Sequence, residues 1–185
     1  MPRWRPLLAL VTLVVLGLAA TEIPTRTPEI PNARSPLDGV WSGGQPTAEQ
    51  IGEAAEAGFR TVINLRGAGE PGYEWEAEAV ERLGLRYVHI PVAGAAGLTR
   101  ENVERLDVAL RDALPNGPVL LHCGSGNRIG AMLALREAWL RGATSNEALR
   151  LGLAAGLTRL EPEVRTLLEL PLESPAPTAP AAPTP

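Results

Sequence analysis

Between residues 37 and 170, short apolar runs alternate with segments of helical periodicity. Three of the runs are rich in aliphatic and β-branched residues, a composition that favours extended strands. The predicted strands are FRTVINL at 59–65, RYVHIPV at 86–92 and PVLLH at 118–122. The third run is apolar up to its final histidine, as is typical of a strand that is buried on both faces of a sheet.

Apolar positions recur with a period near 3.6 in six further segments, which predicts helices. Thr47 with Gln50 and Thr144 with Glu147 form capping boxes, and Thr99 is placed to cap another helix. Glycines end several of these segments, as is common at helix C-termini. The predicted helices cover residues 47–58, 73–84, 99–114, 128–142, 144–156 and 162–170.

The alternation of strands and helices predicts an α/β fold. We expect a single domain at 37–170, with a mainly parallel central sheet and helices on both faces. In such sheets, binding sites form at the edge where the carboxyl ends of the strands meet. Cys123 directly follows the third predicted strand and therefore lies at this edge. Because it is the only cysteine, no disulfide can form within the chain, and the core must hold the fold.

The two ends of the chain differ in composition from the middle. A basic start followed by an apolar stretch at 7–20 predicts a signal peptide over residues 1–20. We therefore expect an exported protein, periplasmic or extracellular, or one anchored in the membrane by residues 7–20 if that segment stays uncleaved. Residues 21–36 contain four prolines and predict an extended linker, whereas the Pro/Ala-rich residues 171–185 predict a disordered tail.

Charge and composition narrow the classes of partner. The formal charge of the 185 residues is −4, and removal of residues 1–20 takes away two arginines and no acid, which leaves −6. An acidic body argues against nucleic acid or an anionic membrane surface as the main partner. All 17 basic residues are arginine, so a P-loop lysine and Schiff-base chemistry are both excluded. We expect no cofactor and no metal site, since soft ligands are few and His122 and Cys123, as neighbours in an extended segment, point to opposite faces.

The segment CGSGNR at 123–128, between the third strand and the next helix, carries the candidate chemistry. Gly124 and Gly126 allow a sharp turn that points several backbone N–H groups inward, forming a nest for an anion. The positive N-terminus of the following helix faces this nest, and Arg128 can bind two oxygens of a tetrahedral anion. The same field favours the thiolate form of Cys123, which makes this residue a candidate nucleophile.

These residues resemble a known family. HCGSGNRIG at 122–130 is similar to the signature loop of the cysteine-dependent protein tyrosine and dual-specificity phosphatase superfamily. The wider chain resembles the bacterial phosphatase-like branch of that superfamily, a branch that is also found fused to β-lactamase-like hydrolases. The segments that carry this wider resemblance, in order, are SGGQPT at 42–47, GFRTVINLR at 58–66, YVHIPV at 87–92 and PVLLHC at 118–123.

The resemblance implies a phosphatase-like fold and a set of roles. Cys123 would be the nucleophile, Arg128 the anion clamp, and His122 a residue that organises the loop by hydrogen bonds. Arg66 ends the first predicted strand at the same sheet edge, where it could add positive charge over the pocket or pair with Glu70. The residues that the resemblance assigns to the phosphate cradle are Gly124, Ser125, Gly126 and Asn127.

The spacing of the loop departs from the superfamily. Four residues separate Cys123 from Arg128, where the superfamily has five. This length is similar to the active loop of rhodanese-type sulfurtransferases, whose cysteine carries a persulfide. The residue after the arginine is Ile129 where the superfamily has a hydroxyl, and Ser125 could replace that hydroxyl by a hydrogen bond to the thiolate.

The general acid is the second departure. The stretch AGAAGLTRENV at 93–103 lacks the aspartate that these phosphatases supply from this position. Glu101 fits the first turn of a helix, where an acid favours the dipole, whereas Glu70 or Glu74 could reach the loop from another segment. Without an acid, alkyl phosphates would be cleaved slowly, since proton donation typically contributes about 10²–10⁴-fold.

The sequence therefore favours a cysteine-nucleophile, phosphatase-like hydrolase. It would act on phosphomonoesters of the tyrosine or aryl type through a cysteinyl-phosphate held in the loop from His122 to Arg128. A sulfurtransferase with a persulfide on Cys123 and a non-catalytic oxyanion-binding module are the alternatives. The expected partner is a phosphorylated or sulfur-bearing small molecule or protein, with no nucleic acid, and with a membrane only if the N-terminal segment stays uncleaved.

Overall fold

The computed structural model of the protein describes residues 29–172. The predicted signal peptide at 1–20, the first half of the predicted linker at 21–36 and nearly all of the predicted tail at 171–185 lie outside these residues. None of the helices between residues 29 and 172 combines the length and the apolar character needed to cross a membrane.

The described part of the chain contains five strands and six α-helices. The strands are β1 (Arg34–Leu37), β2 (Val40–Gly43), β3 (Thr61–Asn64), β4 (Arg86–His89) and β5 (Val119–His122). The helices are α1 (Ala48–Glu56), α2 (Glu76–Arg82), α3 (Arg100–Ala113), α4 (Asn127–Leu140), α5 (Ser145–Ala154) and α6 (Glu161–Leu167). Two short 3-10 helices cover Gly94–Gly97 and Leu114–Asn116.

The strands form one sheet in the order β1-β2-β5-β3-β4. β2, β5, β3 and β4 run parallel, and β1 pairs antiparallel with β2 at one edge. All four residues of β3 and of β5 are buried, which explains why the central strand β5 reads as a continuous apolar run. The predicted α/β fold with a mainly parallel sheet is confirmed.

Helices cover both faces of the sheet, because side chains alternate along each strand. Leu121 and Ile63 face a large core formed with α3, α4, α5 and α6. Leu120 and Val62 face the other way, into a smaller core with α1 and α2 that contains Phe59. The site-bearing ends of the strands are therefore fixed from both sides.

Two of the five strands, β1 and β2, were not predicted. All five strands have four residues, but β1 contains Pro36 and β2 ends in Ser42 and Gly43, so neither reads as an apolar run in the sequence. Residues 34–36, which the sequence analysis assigned to the linker, form part of β1. Pro36 is tolerated there because β1 is an edge strand, where a missing N–H does not break a ladder.

Helix α4 starts directly at the end of the candidate loop and is buried along most of its length. It packs very closely on the segment around α5, since a Cβ at Gly130 would lie 2.2 Å from the Leu157 backbone nitrogen and 2.5 Å from the Gly152 carbonyl oxygen. This contact leaves no room for a side chain. The start of α4, and with it Arg128, is consequently fixed in the core.

Candidate active site

The loop from Cys123 to Arg128 wraps around the cysteine sulfur. The Gly126 N–H donates a hydrogen bond to Cys123 Sγ at 3.1 Å. Gly126 caps α4 with a φ of +92°, a left-handed conformation that a residue with a side chain rarely adopts. Cys123 is only 1% exposed, so the loop covers its sulfur. An amide donor and the N-terminus of α4 are therefore both directed at this sulfur.

Neighbouring backbone holds the loop in place. The Cys123 N–H donates to the Gly43 carbonyl at 3.3 Å, and the Asn32 side-chain amide donates to the Ser125 carbonyl at 3.3 Å. Gly44 forms a bridge with Ser125, and a Cβ at Gly44 would lie 3.1 Å from the Gly124 carbonyl oxygen. The SGGQPT motif thus supplies glycine where a second chain segment must approach the loop. The hydrogen bond to the sulfur comes from the Gly126 backbone amide rather than from the Ser125 hydroxyl that the sequence suggested, and Ser125 is exposed.

Arg128 is held from one side by Glu70. Both terminal nitrogens of Arg128 donate to the Glu70 carboxylate, Nη2 at 2.9 Å to Oε2 and Nη1 to Oε1. Nη1 also donates to the Val92 carbonyl at 3.2 Å. These three bonds use three of the five N–H groups of the guanidinium. The other two, on Nε and Nη2, share one edge, and that edge can bind two oxygens of an anion.

The ionisation of this pair follows from the same geometry. The hydrogen bond from Arg128 lowers the pKa of Glu70 to about 2, with further help from the Gly67 N–H and Arg66. The pKa of Arg128 is raised, first by Glu70 and also by Cys123 beside it. Glu70 is therefore a carboxylate at neutral pH. It does reach the loop, but as an acceptor that orients Arg128, and it has no proton to donate.

Arg66 serves the segment that carries Glu70. Its Nε donates to Glu70 Oε2 at 3.3 Å, its Nη1 to Gln45 Oε1 at 2.8 Å and its Nη2 to the Pro71 carbonyl at 2.6 Å. The guanidinium also lies over the Tyr73 ring, 5.1 Å from the centroid. Of the two roles expected for Arg66, the structure shows the pairing with Glu70.

The other candidate acids lie away from the loop. Glu74 is exposed, and hydrogen bonds to its carboxylate from its own backbone N–H and from the Gly72 N–H, the latter at 2.8 Å, lower its pKa. Glu101 lies in the first turn of α3, as the capping pattern predicted, and lines a cleft between α3 and β4. Neither Glu74 nor Glu101 lines the cavity that Arg128 and Glu70 line at the cysteine loop.

A buried polar network lies behind the loop. His122 and Glu76 are both fully buried, and a hydrogen bond of 2.5 Å joins His122 Nε2 and Glu76 Oε1. The second Glu76 oxygen accepts hydrogen bonds from Gln45 at 2.9 Å and Asn64 at 3.4 Å. Burial shields these contacts of Glu76 from water. The one side-chain hydrogen bond of His122 among the described residues thus ties β5 to α2, and a role in organising the loop stays a prediction.

The side chain of Asn127 has a structural partner. Its carboxamide oxygen accepts from the Thr158 N–H at 2.8 Å, from Thr158 Oγ1 at 3.1 Å and from the Leu160 N–H at 3.3 Å. Asn127 is 8% exposed, so these bonds are largely shielded from water. The first residue of α4 therefore fixes the turn at 158–160 against the candidate loop. The carboxamide oxygen of Asn127 is therefore engaged with this turn, while the residue also lines the cavity at the loop.

A cavity of about 370 Å³ opens at the loop. Ser125, Arg128 and Glu70 line one part of it, and Gly94 and Arg159 line another. Among the described residues that line it, Glu70 carries the one carboxylate.

Sequence reasoning missed Glu76, Gln45, Asn64 and Arg159. Glu76 lies in the predicted helix 73–84 with acids at 74, 76, 78 and 81, and nothing in that pattern distinguishes the one that is buried. Gln45 gave a usable signal, since it lies in the SGGQPT motif. Asn64 and Arg159 are brought near the loop only by the tertiary fold.

The order of elements and the loop geometry agree with a family of known proteins. A family model described as "DSP-PTPase phosphatase fused to NAD+ Kinase" matches residues 29–161, a range that includes Glu70 and the whole cysteine loop. The chain belongs to this phosphatase family. Its membership confirms the superfamily that the loop and strand motifs resemble.

Two curated relatives resemble this chain over part of their length. A beta-lactamase hydrolase-like protein of Xylella fastidiosa is 38% identical over 98 residues, which are 51% of this chain and 22% of that protein. A protein of the same description from Agrobacterium fabrum is 32% identical over 99 residues, with the same two shares. The chain thus spans about a fifth of the length of these curated relatives.

Solved structures share the fold. The DUF442 protein of Shewanella putrefaciens CN-32 superposes with a TM-score of 0.59 at 23% identity, over 76% of this chain and 91% of that one. Tk-PTP in its active form gives a TM-score of 0.56 at 23% identity, over 75% of this chain and 97% of that one. At this identity the likeness concerns the architecture, and it places the protein among phosphatase folds.

Proposed function

We propose that this protein is a cysteine-dependent phosphatase that hydrolyses aryl phosphomonoesters through a cysteinyl-phosphate. The observation that carries the proposal is the contact of Cys123 Sγ with the Gly126 N–H, next to an arginine that keeps one edge for an anion. Family membership supports the reaction class. The substrate and the intermediate are the parts that the proposal adds.

The reaction has two steps. The Cys123 thiolate attacks phosphorus, an S–P bond forms, the P–O bond to the aryl group breaks, and the electron pair leaves on the phenolate oxygen. Water then attacks the same phosphorus, the S–P bond breaks, inorganic phosphate leaves and the thiolate is restored. In both transition states, backbone N–H groups of the loop and the free edge of Arg128 bind the non-reacting phosphate oxygens.

The carboxylates near the loop favour aryl over alkyl esters. Glu70 is ionised and paired with Arg128, so it cannot protonate the leaving oxygen. A phenolate leaves without such help far more readily than an alkoxide does. An enzyme without a strong general acid forgoes the roughly 10²–10⁴-fold that proton donation contributes, and this loss is greatest for alkyl phosphates.

Phenyl phosphate and an alkyl phosphate test the proposal together. Purified protein should release inorganic phosphate from phenyl phosphate, much more slowly from glycerol 3-phosphate, and not at all after Cys123→Ser. Reaction of the native protein with iodoacetate is a second measurement, because Cys123 is only 1% exposed and the proposed attack requires that its sulfur can be reached. Inorganic phosphate bound in the loop should slow this reaction. Turnover that survives Cys123→Ser would overturn the proposal.

A sulfurtransferase is the second candidate, and the four-residue spacing between Cys123 and Arg128 is the observation in its favour. It requires a persulfide on the cysteine. Mass spectrometry after treatment with thiosulfate would then show one added sulfur on Cys123. An unchanged mass, together with cleavage of phenyl phosphate, would leave the phosphatase as the function; absence of both reactions would favour the oxyanion-binding module.

A further inference from the structure

An arginine that the proposed reaction does not use lines the same cavity as Arg128. Arg159 is exposed and lies in the turn just before α6. Across residues 29–172, its guanidinium is engaged in no hydrogen bond or ion pair of the kind that Arg66 and Arg128 make. A positive charge at this position is therefore available to a group that enters the cavity.

The backbone on both sides of Arg159 is fixed to the cysteine loop. Asn127 lies between Cys123 and Arg128 in sequence, and its buried carboxamide oxygen accepts the N–H groups of Thr158 and Leu160 at 2.8 and 3.3 Å. The turn that carries Arg159 is thus held to the start of α4. A cation on such an anchored turn keeps its position relative to the anion loop, which lowers the entropy cost of binding.

The charges around the cavity favour a second anion. Two arginines and one carboxylate line it, and that carboxylate is already paired with Arg128 and Arg66. A phosphate in the loop would be bound by Arg128. The positive charge of Arg159 would then still lack an anionic partner. This local positive balance contrasts with the formal charge of −4 for the whole chain. Clefts of one sign attract ligands of the opposite sign.

We propose that Arg159 forms a second anion subsite, so that the preferred substrate is a phosphomonoester carrying a second anionic group. The proposal rests on the phosphatase function and narrows its substrate class. The second group is a phosphate or a carboxylate that reaches Arg159 while the scissile phosphate lies in the loop. A charge-assisted hydrogen bond of this kind corresponds to roughly ten-fold or more in affinity.

Matched aryl substrates test the subsite. Phenyl phosphate, 3-carboxyphenyl phosphate and benzene-1,3-diyl bisphosphate have similar leaving groups and differ in the second anion. The wild type should show a kcat/KM at least roughly ten-fold higher for the two charged substrates, and Arg159→Gln should bring the ratio close to one. Arg82→Gln is the control, because Arg82 is an exposed arginine on α2, paired with Glu78, near the opposite end of the strands. It should keep the wild-type ratio.

Binding to Cys123→Ser separates the two proposals. Calorimetry on this variant compares the affinities of phenyl phosphate and the bisphosphate without turnover, with and without Arg159→Gln. Equal ratios in the presence and absence of the Arg159 side chain would reject the subsite, even if phenyl phosphate is hydrolysed. A preference that depends on Arg159, in a protein that hydrolyses neither compound, would keep the subsite as an anion site and reject the phosphatase.

Discussion

The ionisation state and the pairing of Glu70 determine which chemistry the candidate active site can perform. Its carboxylate binds both terminal nitrogens of Arg128 and accepts a further bond from Arg66, so it acts as a fixed negative charge. The Arg128 guanidinium that it orients makes these contacts through its terminal nitrogens, so its Nε edge faces away from Glu70 and can bind an anion. The same contact removes Glu70 as a proton donor, which links the geometry of one side chain to the choice of substrate.

Replacement of Glu70 by glutamine should weaken this arrangement. Glu70→Gln keeps one acceptor oxygen but loses the charge that fixes Arg128, so kcat/KM for phenyl phosphate should fall roughly ten-fold or more through misplacement of the clamp. Steady-state kinetics measure the loss. Glu78→Gln, which changes an exposed acid on α2, is the control and should leave kcat/KM within two-fold.

Acid should remove the stability that Glu70 contributes. The folded-state pKa is about 2, below the ordinary value of 4.5, so the carboxylate stabilises the fold above pH 4.5, and this contribution is lost as the pH falls towards 2. The difference in free energy of unfolding between the wild type and Glu70→Gln should therefore shrink between pH 5 and pH 2 in urea titrations. A difference that stays constant over this range would contradict the ion pair.

At the scale of elements, the packing of α4 determines where the loop ends. Gly130 lies on the face of α4 that meets the backbone around Gly152 and Leu157, and no side chain fits between them. The contact holds the first turns of α4 against the α5 segment. Arg128 and Asn127 lie in these turns, so the position of the anion clamp depends on this close approach.

Gly130→Ala should therefore be destabilising. The added methyl would meet backbone atoms at 2.2 and 2.5 Å, and forced overpacking of this kind costs about 3 kcal/mol. Gly52→Ala on α1 is the matched control, since a Cβ there meets nothing within 4 Å and alanine should stabilise the helix by up to about 1 kcal/mol. Chemical denaturation of both variants provides the measurement. Equal free energies of unfolding for Gly130→Ala and Gly52→Ala would mean that α4 and α5 can move apart at little cost.

At the scale of the whole molecule, a buried ion pair joins two helices of the larger core. Arg136 on α4 donates from Nε to Asp107 on α3 at 2.9 Å, and both side chains are largely buried. Arg141 approaches the same carboxylate at 3.3 Å, and Arg111 at 3.5 Å. One acid thus compensates several arginines where α3 meets α4.

Asp107→Ala should destabilise the fold as a unit. It leaves the buried guanidinium of Arg136 with Glu137 as its remaining acidic partner, and loss of one member of a buried pair costs about 3 kcal/mol. Glu104→Ala, which removes an exposed pair with Arg100 at 3.7 Å, should change the free energy of unfolding by less than about 0.5 kcal/mol. Both values come from guanidinium titrations. A similar decrease in the free energy of unfolding of the two variants would show that burial does not increase the contribution of the Asp107 pair to stability.

Much of the fold follows from local patterns. The six helices and the strands β3, β4 and β5 are marked by sequence patterns of their own, and the capping boxes at Thr47 and Thr144 form as predicted. The strands β1 and β2 depend on pairing rather than on pattern. For them, tertiary context overrides the proline and glycines that read as a loop.

The sequence by itself determined the cysteine loop, because its parts are adjacent. A buried strand, glycines and a helix start within a dozen residues place a sulfur, amide donors and Arg128 together. The signal peptide and export remain predictions.

Only the tertiary structure decided which distant side chains complete the site. Glu70 lies 58 positions from Arg128, Glu76 lies 46 from His122, and Thr158 lies 31 from Asn127. The sequence offers many acids of equal local character, and burial and the meeting of strand ends select among them. Charge state, too, is set by these contacts, since the partner of a carboxylate determines whether it donates a proton or holds a cation.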